Sequence, residues 1–211
     1  MSAAGGGGKG AGEGEGGSHG GGGGASPGGG NDLAEISALA ERTDRADRNK
    51  EIARRFREDL WNSGDLAIAD EIIAADCQVH ARVPLTTDFV RGPDALRQLV
   101  LFYHLAFSDI RMTVDQVIAE GDTVAARWTG RGRHSGELLG LPAAQGETVT
   151  TGIDFLRFDH GQIVEGWVAW DILSLIEQLL PPEPEAGAEA APNPAASGPL
   201  AEFLPLLKRL R

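Results

Sequence analysis

At Ile110 the apolar residues of this chain change their period, and that change limits the folds open to it. Before it the spacing is helical: Ile52, Phe56 and Leu60 recur four apart in "NKEIARRFREDLW", and "GPDALRQLVLFYHLAFSD" (Gly92 to Asp109) reads as a helix with Pro93 in its first turn. After it, as far as Asp171, the period is two. Ile110, Met112, Val114, Gln116 and Ile118 fall on one strand face, and Val124, Ala126, Trp128, Gly130, Gly132 and His134 fall on one face of the next. Gly121-Asp122 and His160-Gly161-Gln162 mark tight turns. "CQVHARV" (Cys77 to Val83) is an earlier strand, preceded by a short helix over Leu66 to Ala75 with Leu66, Ala69, Ile72 and Ile73 inward.

Helices first and a meander afterwards predict an α+β domain with helices on one sheet face. Gly130, Gly132, Gly152 and Gly166 lie inside strands and predict strong curvature, hence a cone whose open end is a pocket. Several strands are apolar on both faces: Ile153 and Phe155 oppose Leu156 and Phe158, and Trp167 opposes Val168 and Trp170. A second buried face implies a partner, and a homodimer through the sheet is expected.

The domain with this patterning spans residues 47–180, after a helical extension at 31–46. Residues 1–30 hold 17 of the 30 glycines and predict a disordered tail. Residues 181–199 form a Pro/Ala/Glu linker, and 200–211 carry an apolar helical stripe (Leu200, Phe203, Leu204, Leu207, Leu210) with a basic end. That segment is a candidate for docking to a protein partner. A net charge of −12 argues against nucleic acid as a partner. No run is long and apolar enough to span a membrane, and one cysteine, Cys77, fits a reducing cytoplasm.

The candidate chemistry centres on "VEGWVAWDILSLIEQLL" (Val164 to Leu180), a strand running into a helix with one carboxylate, Asp171, at the junction. Alternation puts Ile163, Glu165, Trp167, Ala169 and Asp171 on one face. If that face lines the pocket, Asp171 is an acid/base group raised toward neutrality by apolar surroundings. Its other reading is the cap of the next helix. His134, at a strand end, is either an enolate-stabilising donor or a loop histidine. His80 is either at the cavity mouth or structural. Of Tyr103 and His104 only one can point squarely inward. Trp128, Trp167 and Trp170 are either an aromatic wall for a flat ring or core. His80, His104 and His134 lack metal-ligand spacing, so no metal is expected, and no nucleotide-binding fingerprint occurs.

Three further motifs complete a pattern: Phe107-Ser108-Asp109 after the long helix, Gly132-Arg133-His134-Ser135-Gly136, and Glu165-Gly166-Trp167-Val168-Ala169-Trp170-Asp171 with Gln178-Leu179 beyond it. With these, residues 47–180 resemble the SnoaL-like polyketide cyclases (ester cyclases) of the nuclear-transport-factor-2-like superfamily. The resemblance implies a cone-shaped curved mixed or antiparallel sheet with helices on its concave side, a cystatin-like α+β barrel. It implies ring closure by aldol condensation without metal or cofactor, an acid/base aspartate at Asp171, and His134 in the same pocket. Trp128, Trp167, His80 and Tyr103 are the expected substrate contacts, and the substrate is a small hydrophobic or aromatic molecule. An isomerase is equally compatible, and His80, His134 and Tyr103 keep a dehydratase-like lyase open. The alternative is a non-catalytic ligand-binding or assembly protein. In layout, residues 200–211 are similar to the C-terminal peptides that load cargo enzymes into protein shells.

Overall fold

The structure, a computed structural model, describes residues 29–81 and 90–180. The expectations for the remainder of the glycine-rich tail, the linker and residues 200–211 lie outside the described residues. The chain divides into two compact units, residues 1–37 and 38–211. The described part of the first is the start of a helix, and every described strand belongs to the second.

The element order is α1 (Gly29–Arg57), α2 (Asp59–Asn62), α3 (Ile68–Ile72), β1 (Ile73–Ala81), β2 (Val90–Arg91), α4 (Gly92–Ala106), β3 (Phe107–Glu120), β4 (Thr123–His134), β5 (Glu147–Asp159), β6 (Gln162–Trp170) and α5 (Ile172–Leu179). Six strands form one sheet in the order β2-β1-β6-β5-β4-β3, antiparallel except where β1 pairs with β6. The expected α+β architecture is therefore present, a curved, unclosed sheet with helices. Two boundaries differ from the sequence reading. β1 begins at Ile73 rather than Cys77, and β3 takes over from α4 at Phe107 rather than after Asp109. In both places the residues pair in the sheet, Ile73 with Ile163 and Phe107 with His134, and this tertiary pairing overrides the local helical spacing. Gly64 has a φ of +68°, the left-handed conformation that ends the α2 region.

Two of the bulges in the sheet exchange the faces of the residues beyond them. On β3, Val114 pairs with Trp128 but Gln116 pairs with Arg127, so Asp115 is an extra residue. Beyond it Val117 and Ala119 pack on the core and Ile118 is exposed, the reverse of the uninterrupted pattern. On β6, Ile163 pairs with Phe158 and Glu165 with Arg157, which leaves Val164 extra. The inward set is accordingly Ile163, Gly166, Val168 and Trp170, while Glu165, Trp167 and Ala169 turn to the outer face.

The main core joins Ala53, Phe56, Leu60 and Trp61 of α1 and α2 to Leu96 and Val100 of α4 and to the inner sheet face at Val79, Val124, Trp128, Leu156, Phe158 and Ile163. A second cluster closes one end, where Leu175, Ile176 and Leu179 of α5 meet Ala106, Phe107, Leu138 and Leu141. The outer face keeps large apolar groups in solvent, with Ile153 52 %, Phe155 50 % and Trp167 42 % exposed.

Candidate functional site

A cavity of about 100 Å³, open on one side, lies between the inner sheet face, the end of α1 and α4. Its wall is mostly apolar: Phe56, Leu96, Leu99, Phe107, Ile110, Met112, Val168, Trp170 and Leu175 line it, with Trp61, Tyr103 and Trp128. Tyr103 lies between Trp61 (ring centroids 5.8 Å apart) and Trp170 (6.0 Å). Burial pushes its phenol above the ordinary tyrosine range, so the hydroxyl stays a neutral donor. His104, next in sequence, turns the other way and meets the Trp61 carbonyl at 2.9 Å.

One ion pair is built into this wall. The Arg57 Nε donates to Asp154 Oδ2 at 2.5 Å, and its Nη2 donates to Oδ1. The Trp128 Nε1–H donates to the same Oδ1 at 3.1 Å, and Asp154 is completely buried. The guanidinium carbon lies 4.4 Å from the Trp128 ring centroid, 5.0 Å from Phe56 and 5.8 Å from Trp61, so the cation is boxed by aromatic faces. Trp128 reaches this position because Gly152, directly opposite, has no side chain. A Cβ there would lie 2.2 Å from the indole. Sequence reasoning missed Arg57, Asp154 and Trp61. One sign was present: Asp154 is the lone charge on the inward face of β5, between Gly152 and Leu156.

The residues singled out from the sequence fall into three places. Trp128 and Tyr103 line the cavity as expected. Trp167 does not: the Val164 bulge sends it to the outer face, where it stacks on His80 at 5.4 Å and meets Phe155 edge-on. His80 is also there, 3.1 Å from Glu165, which in turn accepts from Arg157. Arg157 and His80 hold the Glu165 carboxyl below its usual range. Asp171 lies outside the cavity lining and is exposed, and its Oδ1 accepts the Ser174 N–H at 3.0 Å as the N-cap of α5. The same bulge moved it, because the face it shares with Trp167 is the outer one. Its link to the cavity wall is through its backbone carbonyl, which accepts from Thr150 Oγ1 at 3.3 Å.

His134 is on the inward face of β4 and wholly buried, beside Phe107 in the second cluster rather than on the cavity lining. Its Nδ1 accepts the Ala144 N–H at 3.1 Å, so the neutral ring carries its proton on Nε2, for which no described residue offers an acceptor. Burial pushes the imidazole below its ordinary value, which favours this neutral form. Among the described residues no three His, Cys, Asp or Glu side chains gather as metal ligands, and no helix is long and apolar enough to cross a membrane.

The family model for the SnoaL-like polyketide cyclases matches residues 51–179, more than half of the chain. No curated protein matches. Among solved structures, the chain is similar to TsrD from Streptomyces laurentii (26 % identity, TM-score 0.53, 63 % of this chain and 92 % of that one covered). It is also similar to IdmH from Streptomyces antibioticus, a candidate polyketide cyclase (30 % identity, TM-score 0.53, 61 % and 94 % covered). A SnoaL-like protein from Jannaschia sp. CCS1 shares the fold (18 % identity, TM-score 0.57, 64 % and 92 % covered). The sheet, the cavity beneath it and the match across residues 51–179 agree, and the chain belongs to the SnoaL-like polyketide cyclase family.

Proposed function

We propose that the chain is a cofactor-independent acid/base enzyme of cyclase or isomerase type, acting on a polyketide-like carbonyl compound bound in the cavity. The observation that carries this reading is an apolar aromatic chamber whose wall includes the buried cation Arg57 and the neutral Tyr103 hydroxyl. Such a chamber selects a flat, mostly hydrophobic molecule and leaves few places for its oxygen. Proton loss from a carbon beside a carbonyl puts charge on that oxygen. Donors already in place stabilise the charge without reorganising, and low polarity strengthens their effect.

Two aspartates compete for the acid/base role. Asp171 is exposed and committed to a helix cap, and Asp154 is buried directly behind the wall. Asp171 stands in solvent outside the chamber, so the geometry favours the wall that holds the Arg57–Asp154 pair. The test is turnover of a panel of aromatic β-keto esters by the wild type and single variants. Asp171→Asn is expected to retain turnover, and Tyr103→Phe to lower it about a hundredfold, the scale of losing one donor at a developing oxyanion. Loss of turnover in Asp171→Asn together with full turnover in Tyr103→Phe would move the chemistry out of the cavity.

The apolar outer face supports a second element of the proposal, a homodimer through the sheet. Val149, Ile153, Phe155 and Trp167 all lie exposed on that face.

A further inference from the structure

Arg57 is more than a strut between α1 and β5. A guanidinium carries five N–H groups, and the contacts with Asp154 use its Nε and its Nη2. Nη1 meets no acceptor among the described residues, although the side chain is buried and forms part of the cavity wall. A second donor on this wall is buried outright. The Trp61 indole lines the cavity, is 6 % exposed, and its Nε1 finds no acceptor among the described residues. Buried polar groups are as a rule hydrogen-bonded, and each exception needs a reason. The buried Trp61 N–H and the unengaged Arg57 Nη1 lie on one apolar wall, with the guanidinium carbon 5.8 Å from the indole centroid, and an acceptor that arrives with a ligand would meet both.

Stability alone does not account for the pair. Apolar side chains of similar volume commonly hold a core as well as a buried ion pair does. Nor is Arg57 arranged for a permanent anion. A carboxylate must shed its hydration as a full charge before it reaches the donors, at a cost of several kcal/mol. An oxygen that is neutral on entry and acquires charge only by losing its proton fits better. Its neutral form is cheap to bury, and the free N–H groups favour its anion.

We propose that Arg57 is the group that receives the ligand's oxygen, and that the ligand is a ring-bearing enol or phenol whose anion it stabilises, with Trp61 as a second donor. This rests on the cavity being the functional site. The proton released passes to water, and no other bond changes.

The full chain is titrated with 4-nitrophenol, whose anion absorbs at longer wavelength than its acid, and with acetophenone, a neutral ring ketone. Bound nitrophenol is expected to ionise at lower pH than free nitrophenol, with the anion-to-acid ratio at fixed pH raised about tenfold, one pKa unit. Arg57→Met should abolish that shift, and Arg57→Lys, which keeps the charge without the fork, should restore part of it. Should Arg57→Met fail to fold, the double variant Arg57→Met/Asp154→Leu replaces both charges by apolar groups. It is expected still to bind acetophenone through the apolar wall, more weakly than the wild type, and to show no preference for the anion. Acetophenone binding without any shift in nitrophenol ionisation overturns the role of Arg57 and leaves the cavity reading intact, as does a shift that survives in the double variant. Failure of both probes to bind overturns both.

Discussion

At the scale of single residues, the cavity depends on what one glycine lacks. Trp128 lies flat over Gly152, and from there its indole N–H holds Asp154, which holds Arg57. Gly152→Ala adds a Cβ into the indole, so the ring must move and the Asp154 contact lengthens or breaks. The expected loss is about 1–3 kcal/mol of stability, the usual cost of overpacking a core, read as a lower midpoint in denaturant unfolding. Unchanged stability with a retained ion pair would show that Trp128 can leave its place freely. The Arg57–Asp154 pair also shows what a sequence conceals. The two residues are 97 positions apart, and nothing local in "RRFRED" sets Arg57 apart from its neighbours. Trp128 and Tyr103 were legible because each stands on an inward position of an uninterrupted pattern.

At the scale of elements, regular spacing gave the strands and the long helices, and two inserted residues defeated the assignment of faces. Alternation carries no signal for a bulge, because an extra residue leaves composition and length almost unchanged. Asp115 turned Ile118 outward, and Val164 exchanged Trp167 for Val168 and Trp170 at the cavity. Counted back from the last helix instead of forward from Ile163, the same strand yields the observed inward set. The helix itself was readable. Its hydrophobic face is the one buried, and Asp171 is its cap. Asp171→Ala is expected to cost about 1 kcal/mol, whereas Asp171→Asn, an equally good cap, should cost almost nothing. Thermal unfolding of both variants checks this. Equal destabilisation by the two would mean that the charge of Asp171, and not its capping bond, matters to the fold.

At the scale of the whole molecule, the sheet has one face covered by helices and another that leaves Ile153, Phe155 and Trp167 about half exposed. Around these lie His80, Glu165 and Arg157, which keeps the patch from being wholly apolar. A second copy meeting this face would remove the apolar groups from water at roughly 25 cal/mol per Å². Sedimentation of the wild type is expected to give a dimer, and Phe155→Glu to shift it to monomer with the cavity unaffected. A wild-type monomer at tens of micromolar would contradict the interface.

The central claim is that the aromatic chamber holding Arg57 and Asp154, and not the exposed end of β6, receives the ligand. A crystal structure with 4-nitrophenol bound tests it most directly. The expected result places the ring among Trp61, Tyr103, Trp128 and Trp170, with its ionised oxygen within hydrogen-bond distance of Arg57. A ring bound beside Asp171, or on the outer face against Trp167, would contradict it.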